Sequence, residues 1–372
     1  MTAAPPGRDI TFVVTSLHGG GAEAVGRAWM GWLASRGHRV RVLATSRKQA
    51  PGHLPEGVQL DHLVGGHAQK VAQLRRELTQ QPCDVVLAMQ SYPNLVAVAA
   101  ATALRRPQRP AVLVSERNLV TPGLVGARIG HRAKHQLTRM AYPRADRVIA
   151  ISHPVAAELL AGAGVSPERC VVVANPAAAL TSGRPARRGA GGGGTLEVVL
   201  AHRMVRQKRP LLAVAAVAEL VRRGRPARLV LFGDGPLAGD VDRAAREAGV
   251  ELEARGWVED WTGECSEGSV HLLASAREGF GNVLVEAAVA GIPSVAVSGA
   301  LGVADALVPG ITGQLALEST PTALADALEE ASRLRLDADV VGAWAERFSL
   351  RSSGTALEKV IEGAVSGRRA AA

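Results

Sequence analysis

The chain has 372 residues, too many for one ordinary core and enough for two domains of about 180 residues each. Its 47% hydrophobic content, carried by aliphatics with only 5 Trp, 4 Phe and 2 Tyr, excludes a disordered chain, and 41 Gly and 20 Pro without a repeat exclude a fibrous one. The net charge of +9 is uneven: residues 1–180 hold 21 Lys/Arg and 10 Asp/Glu, the remainder 22 and 24, so an anionic partner belongs with the first half if anywhere.

Short apolar runs alternate with longer helical patterns. In the first half, strands are predicted at Ile10 to Ser16, Arg39 to Thr45, Asp84 to Met89, Ala111 to Glu116, Arg147 to Ser152 and Cys170 to Ala174. Most are continuously apolar, as parallel strands covered on both faces must be. Between the first two, Val25, Ala28, Trp29, Trp32 and Leu33 share one face of a helix over 22–35, and Gly37 closes it. The pattern stops at Asn175-Pro176. Residues 177–194, with Pro185 and four glycines at 191–194, read as a linker. A second series follows: strands at Leu196 to Ala201, Arg228 to Phe232, Glu251 to Gly256, Val270 to Ala274 and Ser294 to Val297, with helices near 210–222, after Pro236 and over 282–290. Two such series predict two Rossmann-like doubly wound α/β domains, residues 1–176 and 195–345, facing across a cleft that holds the ligand.

Several segments are excluded from other roles. The stretch Ala287 to Ala304 is apolar but broken by Pro293 and glycines, so it is no bilayer span. Met1 to Arg8 lacks an apolar signal core, so a cytoplasmic location is expected. Cys83, Cys170 and Cys265 lie too far apart for a CxxC motif. His131 and His135 are four apart, but Arg132 and Lys134 between them argue against a metal, and no DxD-type pair stands near a strand end.

Three loops can carry chemistry. His18-Gly19-Gly20-Gly21 joins the first strand to its helix, where glycines admit a ligand and free N–H groups face an anion. It is neither a Walker loop nor GxGxxG, and no GxSxG elbow accompanies it. Arg203 and Lys208 follow the first strand of the second half, two fixed cations suited to a diphosphate. Glu278-Gly279-Phe280-Gly281-Asn282 runs into a helix carrying Glu286, so two carboxylates could grip sugar hydroxyls beside a helix N-terminus, or serve as an acid/base pair. Glu286, among Val285, Ala287 and Ala288, needs a partner. Gly233-Asp234-Gly235-Pro236 and Gly256-Trp257-Val258 close two further strands on the same edge.

Together these residues resemble the retaining nucleotide-sugar glycosyltransferases of glycosyltransferase family 4 (group 1), which have the two-Rossmann GT-B fold. The resemblance spans nearly the whole chain, and the acidic pair Glu278/Glu286 running on to Gly291-Ile292-Pro293 is its most specific part. It implies that Arg203 and Lys208 hold the donor diphosphate, with the backbone of Gly20 and Gly21 facing it. It implies Glu286 on the ribose, Glu278 on the transferred sugar, amides of Phe280, Gly281 and Asn282 on sugar and phosphate, and Gly233, Trp257 and Val258 along the nucleotide. No metal is implied, UDP is the family's commonest carrier, and Glu346 to Ser349 resembles the start of a C-terminal helix (346–372) that crosses back to the first domain. Where several members carry a histidine after the fourth strand, this chain has Ser115-Glu116-Arg117-Asn118, so Glu116, Arg117 and His18 are acceptor-side candidates.

Arg128, His131, Arg132, His135 and Arg139 recur at helical spacing, with Ile129, Ala133, Leu137 and Met140 on another face expected to be buried. The basic stripe, in particular Arg128, Arg132 and Arg139, fits a lipid-linked acceptor or an anionic membrane, or else a plain solvated surface in a chain with 38 Arg. Nucleic acid is disfavoured for lack of stacking aromatics. A small soluble acceptor is the rival within the class, and a nucleotide-sugar epimerase or a non-catalytic sugar-nucleotide binder the rival outside it.

Overall fold

The structure, a computed structural model, describes residues 7–47, 54–105, 108–119, 121, 129–181 and 194–370. Its contacts divide the chain into two units, one of Met1–Pro176 with Leu350–Ala372 and one of Ala177–Ser349.

In the first unit β1 (Asp9–Val14), α1 (Gly21–Ser35), β2 (Arg39–Ala44), β3 (Gln59–His62), α2 (His67–Gln80), β4 (Val85–Met89), α3 (Ser91–Thr102), β5 (Ala111–Glu116), α4 (Ile129–Ala141), β6 (Arg147–Ala150), α5 (His153–Gly162) and β7 (Cys170–Val172) follow in order. The strands form one parallel sheet, β3-β2-β1-β4-β5-β6-β7. β4 and β5 are buried at every position, which requires cover on both faces. α1 supplies some of that cover by burying Val25, Gly26, Trp29, Met30 and Leu33, three to four residues apart. The first, fifth and sixth predicted strands run two residues too far. Ser152 leaves the ladder to cap α5, its Oγ accepting the Val155 N–H at 3.3 Å.

The second unit continues with β8 (Leu196–Ala201), α6 (Pro210–Arg222), β9 (Ala227–Phe232), α7 (Ala238–Glu247), β10 (Glu251–Gly256), β11 (Val270–Leu273), α8 (Asn282–Val289), β12 (Ser294–Val297), β13 (Gly313–Ala316), α9 (Pro321–Arg333) and α10 (Ala338–Ala345). Its parallel sheet has the order β10-β9-β8-β11-β12-β13. In both sheets the winding reverses beside the first strand, at β1/β4 and at β8/β11. Ligands of doubly wound sheets bind at such switch points, beyond the carboxyl ends of the strands. The edge strands β3 and β13 were not among those expected: three of the four residues of Gln59-Leu60-Asp61-His62 are polar, and Gly313-Gln314-Leu315-Ala316 is too short to stand out. Of the expected linker, 177–180 form a short 3₁₀ turn and 182–193 lie outside the described residues.

α11 (Leu350–Ala370) belongs to the first unit. Its Ser353 Oγ accepts from Trp29 Nε1 at 2.8 Å and donates to the Ala174 carbonyl at 2.6 Å. Glu358 meets Arg36 and His38, and Glu362 takes Arg8 by both oxygens. Gly354 allows the helix to lie against α1, because a Cβ there would stand 2.4 Å from Trp32 Nε1. Gly354→Val should therefore destabilise the protein by about 1–3 kcal/mol through overpacking, read as a drop in denaturation midpoint at unchanged m-value. An unchanged midpoint would mean that the approach is not tight.

One expectation fails on α4. Ala133, Leu137 and Met140 are exposed rather than buried, as are Arg132 and Arg139 on the basic face. Among its described side chains only Thr138 is buried. Helical spacing identifies an apolar face, whereas burial depends on whether another element reaches it. Arg128 and the side chains of Ile129 and His131 lie outside the described residues.

Candidate functional site

In the second unit the loop after β8 is clamped to the loop after β11. The Ala276 N–H donates to the Gln207 carbonyl at 2.8 Å, Gln207 Nε2 donates to the Arg277 carbonyl at 3.0 Å, and Lys208 Nζ meets Glu278 Oε1 at 2.5 Å. Both charged groups of that pair are largely buried, at 18% and 9% exposed. Arg209 next to Lys208 holds a left-handed φ of 48°, a strained backbone conformation for a residue with a side chain. Arg203 is exposed at the mouth of the same loop.

Two glycines bring the loop after β9 against this one. A Cβ at Gly233 would lie 2.4 Å from the His202 carbonyl oxygen, and one at Gly235 2.6 Å from that of Met204. On the other side the Glu278 N–H donates to the Ala300 carbonyl at 2.9 Å, and a Cβ at Gly302 would lie 2.3 Å from the Glu278 carbonyl oxygen. Glu278 is thus fixed by its backbone from one side and by Lys208 from the other.

α8 begins at Asn282 with Gly281 as its N-cap at φ 101° and no side-chain cap, the arrangement in which first-turn N–H groups can face an anion. The Phe280 ring turns inward and packs on Phe348 at 5.2 Å, so only its backbone can serve a ligand. Glu286 is 8% exposed, and its Oε2 accepts from Trp261 Nε1 at 2.8 Å. Burial drives its pKa up to about 7; the Trp261 bond opposes the rise and Asp260 adds to it. Val258 packs on a buried cluster that includes Trp261, whereas Trp257 is 68% exposed.

Beneath these loops lie two histidines that sequence reasoning passed over. His271 on β11 bonds Ser294 Oγ through Nδ1 at 3.1 Å and packs on Trp261 at 5.2 Å. His202 bonds the Arg203 carbonyl through Nδ1 at 3.2 Å. Burial pushes both rings down to about 3, and Lys208 adds to the fall, so both are neutral and do not compete with Lys208 for anions. Trp261 was missed as well, since nothing local marks an indole that reaches a carboxylate 25 residues on.

In the first unit Gly20, at φ 66°, is the N-cap of α1, and Gly21 opens the helix. A Cβ at Gly20 would meet Glu23 Oε2 at 2.5 Å; the other Glu23 oxygen accepts from Gln90 Nε2 at 3.0 Å. Gln90, at the end of β4, holds a φ of 77°, a second strained residue at a switch point. His18 is exposed in the loop after β1.

Glu116 ends β5 beneath the surface, at 2% exposed. It accepts from the Tyr142 hydroxyl at 2.6 Å, the Arg117 N–H at 3.0 Å and Ser91 Oγ at 3.3 Å, and burial raises its pKa. With both oxygens engaged it anchors the loop rather than presenting itself. Arg117 is the group so anchored: its guanidinium lies over Trp29 at 5.1 Å and donates to Asn175 Oδ1 at 2.7 Å. Burial lowers its pKa to about 9, which leaves it charged at neutral pH.

Among the described residues no group of three or more His, Cys, Asp or Glu is placed to hold a metal ion, and no helix is long and apolar enough to cross a membrane. Residues 19–177 match the family described as Glycosyltransferase Family 4, and residues 196–333 the family described as Glycosyl transferases group 1. No curated protein matches the chain. Among solved structures, the apo form of the lipopolysaccharide outer core galactosyltransferase WaaB is 20% identical with a TM-score of 0.71, covering 95% of this chain and 99% of its own. HepE of Anabaena in complex with UDP and glucose is 18% identical with a TM-score of 0.74, covering 96% and 100%. The sucrose-phosphate synthase of Thermosynechococcus elongatus is 16% identical with a TM-score of 0.72, covering 97% of each. These likenesses establish the GT-B architecture of two Rossmann-like domains.

Proposed function

On the premise that the chain is a GT-B glycosyltransferase with family 4 and group 1 domains, we propose that it moves a sugar from a nucleotide-sugar, UDP-linked, to an acceptor hydroxyl with retention. The second unit holds the donor, and the observation that carries this reading is the clamp of Lys208 between its own loop and Glu278 at the β8/β11 switch point. Lys208 and Arg203 receive the diphosphate, Lys208 as a point charge held by its neighbours and Arg203 as a fork from the exposed rim. The amides at Phe280, Gly281 and Asn282 add dipoles, so the leaving-group charge is met without a metal. Glu286, oriented by Trp261, takes the ribose hydroxyls; Glu278 takes the sugar. Gly233 allows the nucleotide close to the backbone, and Trp257 with Val258 borders the base. The bond between the anomeric carbon and the diphosphate oxygen breaks, UDP leaves with the acceptor hydroxyl's proton on its phosphate oxygen, and the acceptor oxygen bonds to the anomeric carbon on the same face of the sugar.

The first unit holds the acceptor, with His18 at the surface, Arg117 part-buried over Trp29 and Glu116 as its support, and Gly20 and Gly21 offer α1 amides to an anion. A lipid-linked or cell-surface glycan precursor is the acceptor this half suits, because Arg132 and Arg139 stand exposed on α4 and would meet the anionic cytoplasmic face of a membrane.

The test is thermal melting with a panel of nucleoside diphosphates and nucleotide-sugars, with EDTA present. A ligand specific for the folded state at a hundredfold excess over its Kd stabilises by about 2.7 kcal/mol. UDP and UDP-sugars are expected to raise the midpoint, and Arg203→Ala to remove the rise. A panel with no shift would remove the transferase reading, and a shift that survives Arg203→Ala would place the diphosphate elsewhere.

A further inference from the structure

The exposed apolar face of α4 forms one wall of a groove. α2, α3 and α4 line an open cavity of about 1250 Å³ on the first unit. Its floor is hydrocarbon, with Val71 from α2, Leu95 and Ala99 from α3, and Leu137 and Met140 from α4. The last two are 53% and 60% exposed. Its charged lining residues are Arg75, Arg76, Lys134 and Arg144, and no Asp or Glu lines it. At one mouth His67 Nδ1 and the Tyr92 hydroxyl lie 2.9 Å apart. Tyr92 adjoins Ser91, which bonds Glu116, and Lys134 is near enough to Glu116 to favour its charged form. The Tyr92 end of the groove is therefore next in sequence to the residue that holds Glu116 at the end of β5.

Apolar floor and cationic rim together restrict the occupant. A continuous exposed apolar surface calls for an apolar partner. A second copy of the same face would set like charges against each other. Nucleic acid would satisfy the cations, but Tyr92 is the one aromatic ring of Phe, Tyr or Trp type in the lining, too few for stacking. A hydrocarbon chain joined to a phosphate satisfies both features. We propose that the groove seats the lipid chain of the acceptor, with its phosphate or pyrophosphate head at Lys134 and the chain along Leu95, Ala99, Leu137 and Met140. This rests on the reading of the chain as a transferase with a lipid-linked acceptor.

The test uses the full chain and single-chain alkyl phosphates kept below their micellar concentrations. Octyl, decyl and dodecyl phosphate should bind progressively tighter, by about two- to fourfold per added methylene. Inorganic phosphate and dodecyl maltoside should each bind at least about tenfold more weakly than dodecyl phosphate. Leu137→Glu and Ala99→Trp change exposed positions, so they should fold normally yet lose about tenfold or more in dodecyl phosphate affinity; Lys134→Glu should do the same. Wild-type affinity in Leu137→Glu and Ala99→Trp, or no dependence on chain length, overturns the groove. So does a Leu137→Glu variant that loses binding only to phosphatidylcholine/phosphatidylglycerol vesicles, since that would make α4 a surface contact with a bilayer. UDP melting on the same preparations separates the two readings: a retained UDP shift without alkyl phosphate binding sinks the groove alone, and alkyl phosphate binding without any nucleotide shift sinks the transferase reading.

Discussion

Lys208→Ala is expected to lower the rate of sugar transfer by about 10²- to 10³-fold, the usual effect of removing one fixed group aimed at developing charge. The loss has two parts that can be separated. Lys208 is 18% exposed and bonded to Glu278, so its removal leaves a largely buried carboxylate without its cation, which costs about 1–3 kcal/mol of stability. The double variant Lys208→Ala/Glu278→Gln should regain most of that stability and none of the transfer. A double-mutant cycle on melting and on rate isolates the pair from the catalytic role. Unimpaired UDP-sugar affinity and rate in Lys208→Ala would end the assignment of Lys208 to the diphosphate.

Glu286→Gln is expected to make the free protein more stable at alkaline pH while donor affinity falls by about 10- to 100-fold, the worth of one or two bonds to a charged acceptor. The carboxyl group is held near pKa 7 by burial against an ordinary value of 4.5. Below pH 4.5 it is protonated folded and unfolded alike, and it has no effect on the balance. Between 4.5 and 7 the unfolded chain releases its proton first, so stability declines, by about 3 kcal/mol once the pH passes 7. A neutral amide removes this dependence and can still accept from Trp261. At pH 8 the variant should therefore melt about 6–12 °C higher than the native chain, with no difference near pH 4. Donor affinity of the native enzyme should in turn rise with pH up to about 7, because the carboxylate accepts more from the ribose than the acid does. Equal melting of both forms at pH 8 would show that the buried carboxyl does not resist ionisation.

That cost also bears on how the site is built. An unpaired charge among Val285, Ala287 and Ala288 has no stabilising use in the free protein, and the polar partner the structure supplies is the single indole of Trp261. Of the three described non-glycine residues at positive φ, Gln90 follows β4 and Arg209 precedes α6, each next to the switch point of its sheet, and Leu301 is the third. Strain retained at such places is expected where backbone must be aimed at a ligand.

Much of this protein was legible as sequence. Strands buried on both faces are largely apolar, so β1, β4, β5, β8 and β11 announce themselves, and the loops that follow them mark the ligand edge. The doubly wound class and the loops at 18–21, 203–208 and 278–286 follow from that alternation. β3 escapes because Leu60 is its one apolar residue in four, so no apolar pattern marks it. The rest is non-local. Lys208 finds Glu278 across 70 residues, Trp261 reaches Glu286 across 25, and His271 meets Ser294 across 23. No periodicity encodes those meetings, which depend on β8 lying beside β11 and on the depth at which each loop settles. The face of α4 makes the same point in reverse. Spacing alone determined that Ala133, Leu137 and Met140 share a side; only the packing of α2 and α3, which stop short of covering it, decided that this side faces solvent as a groove and not the core.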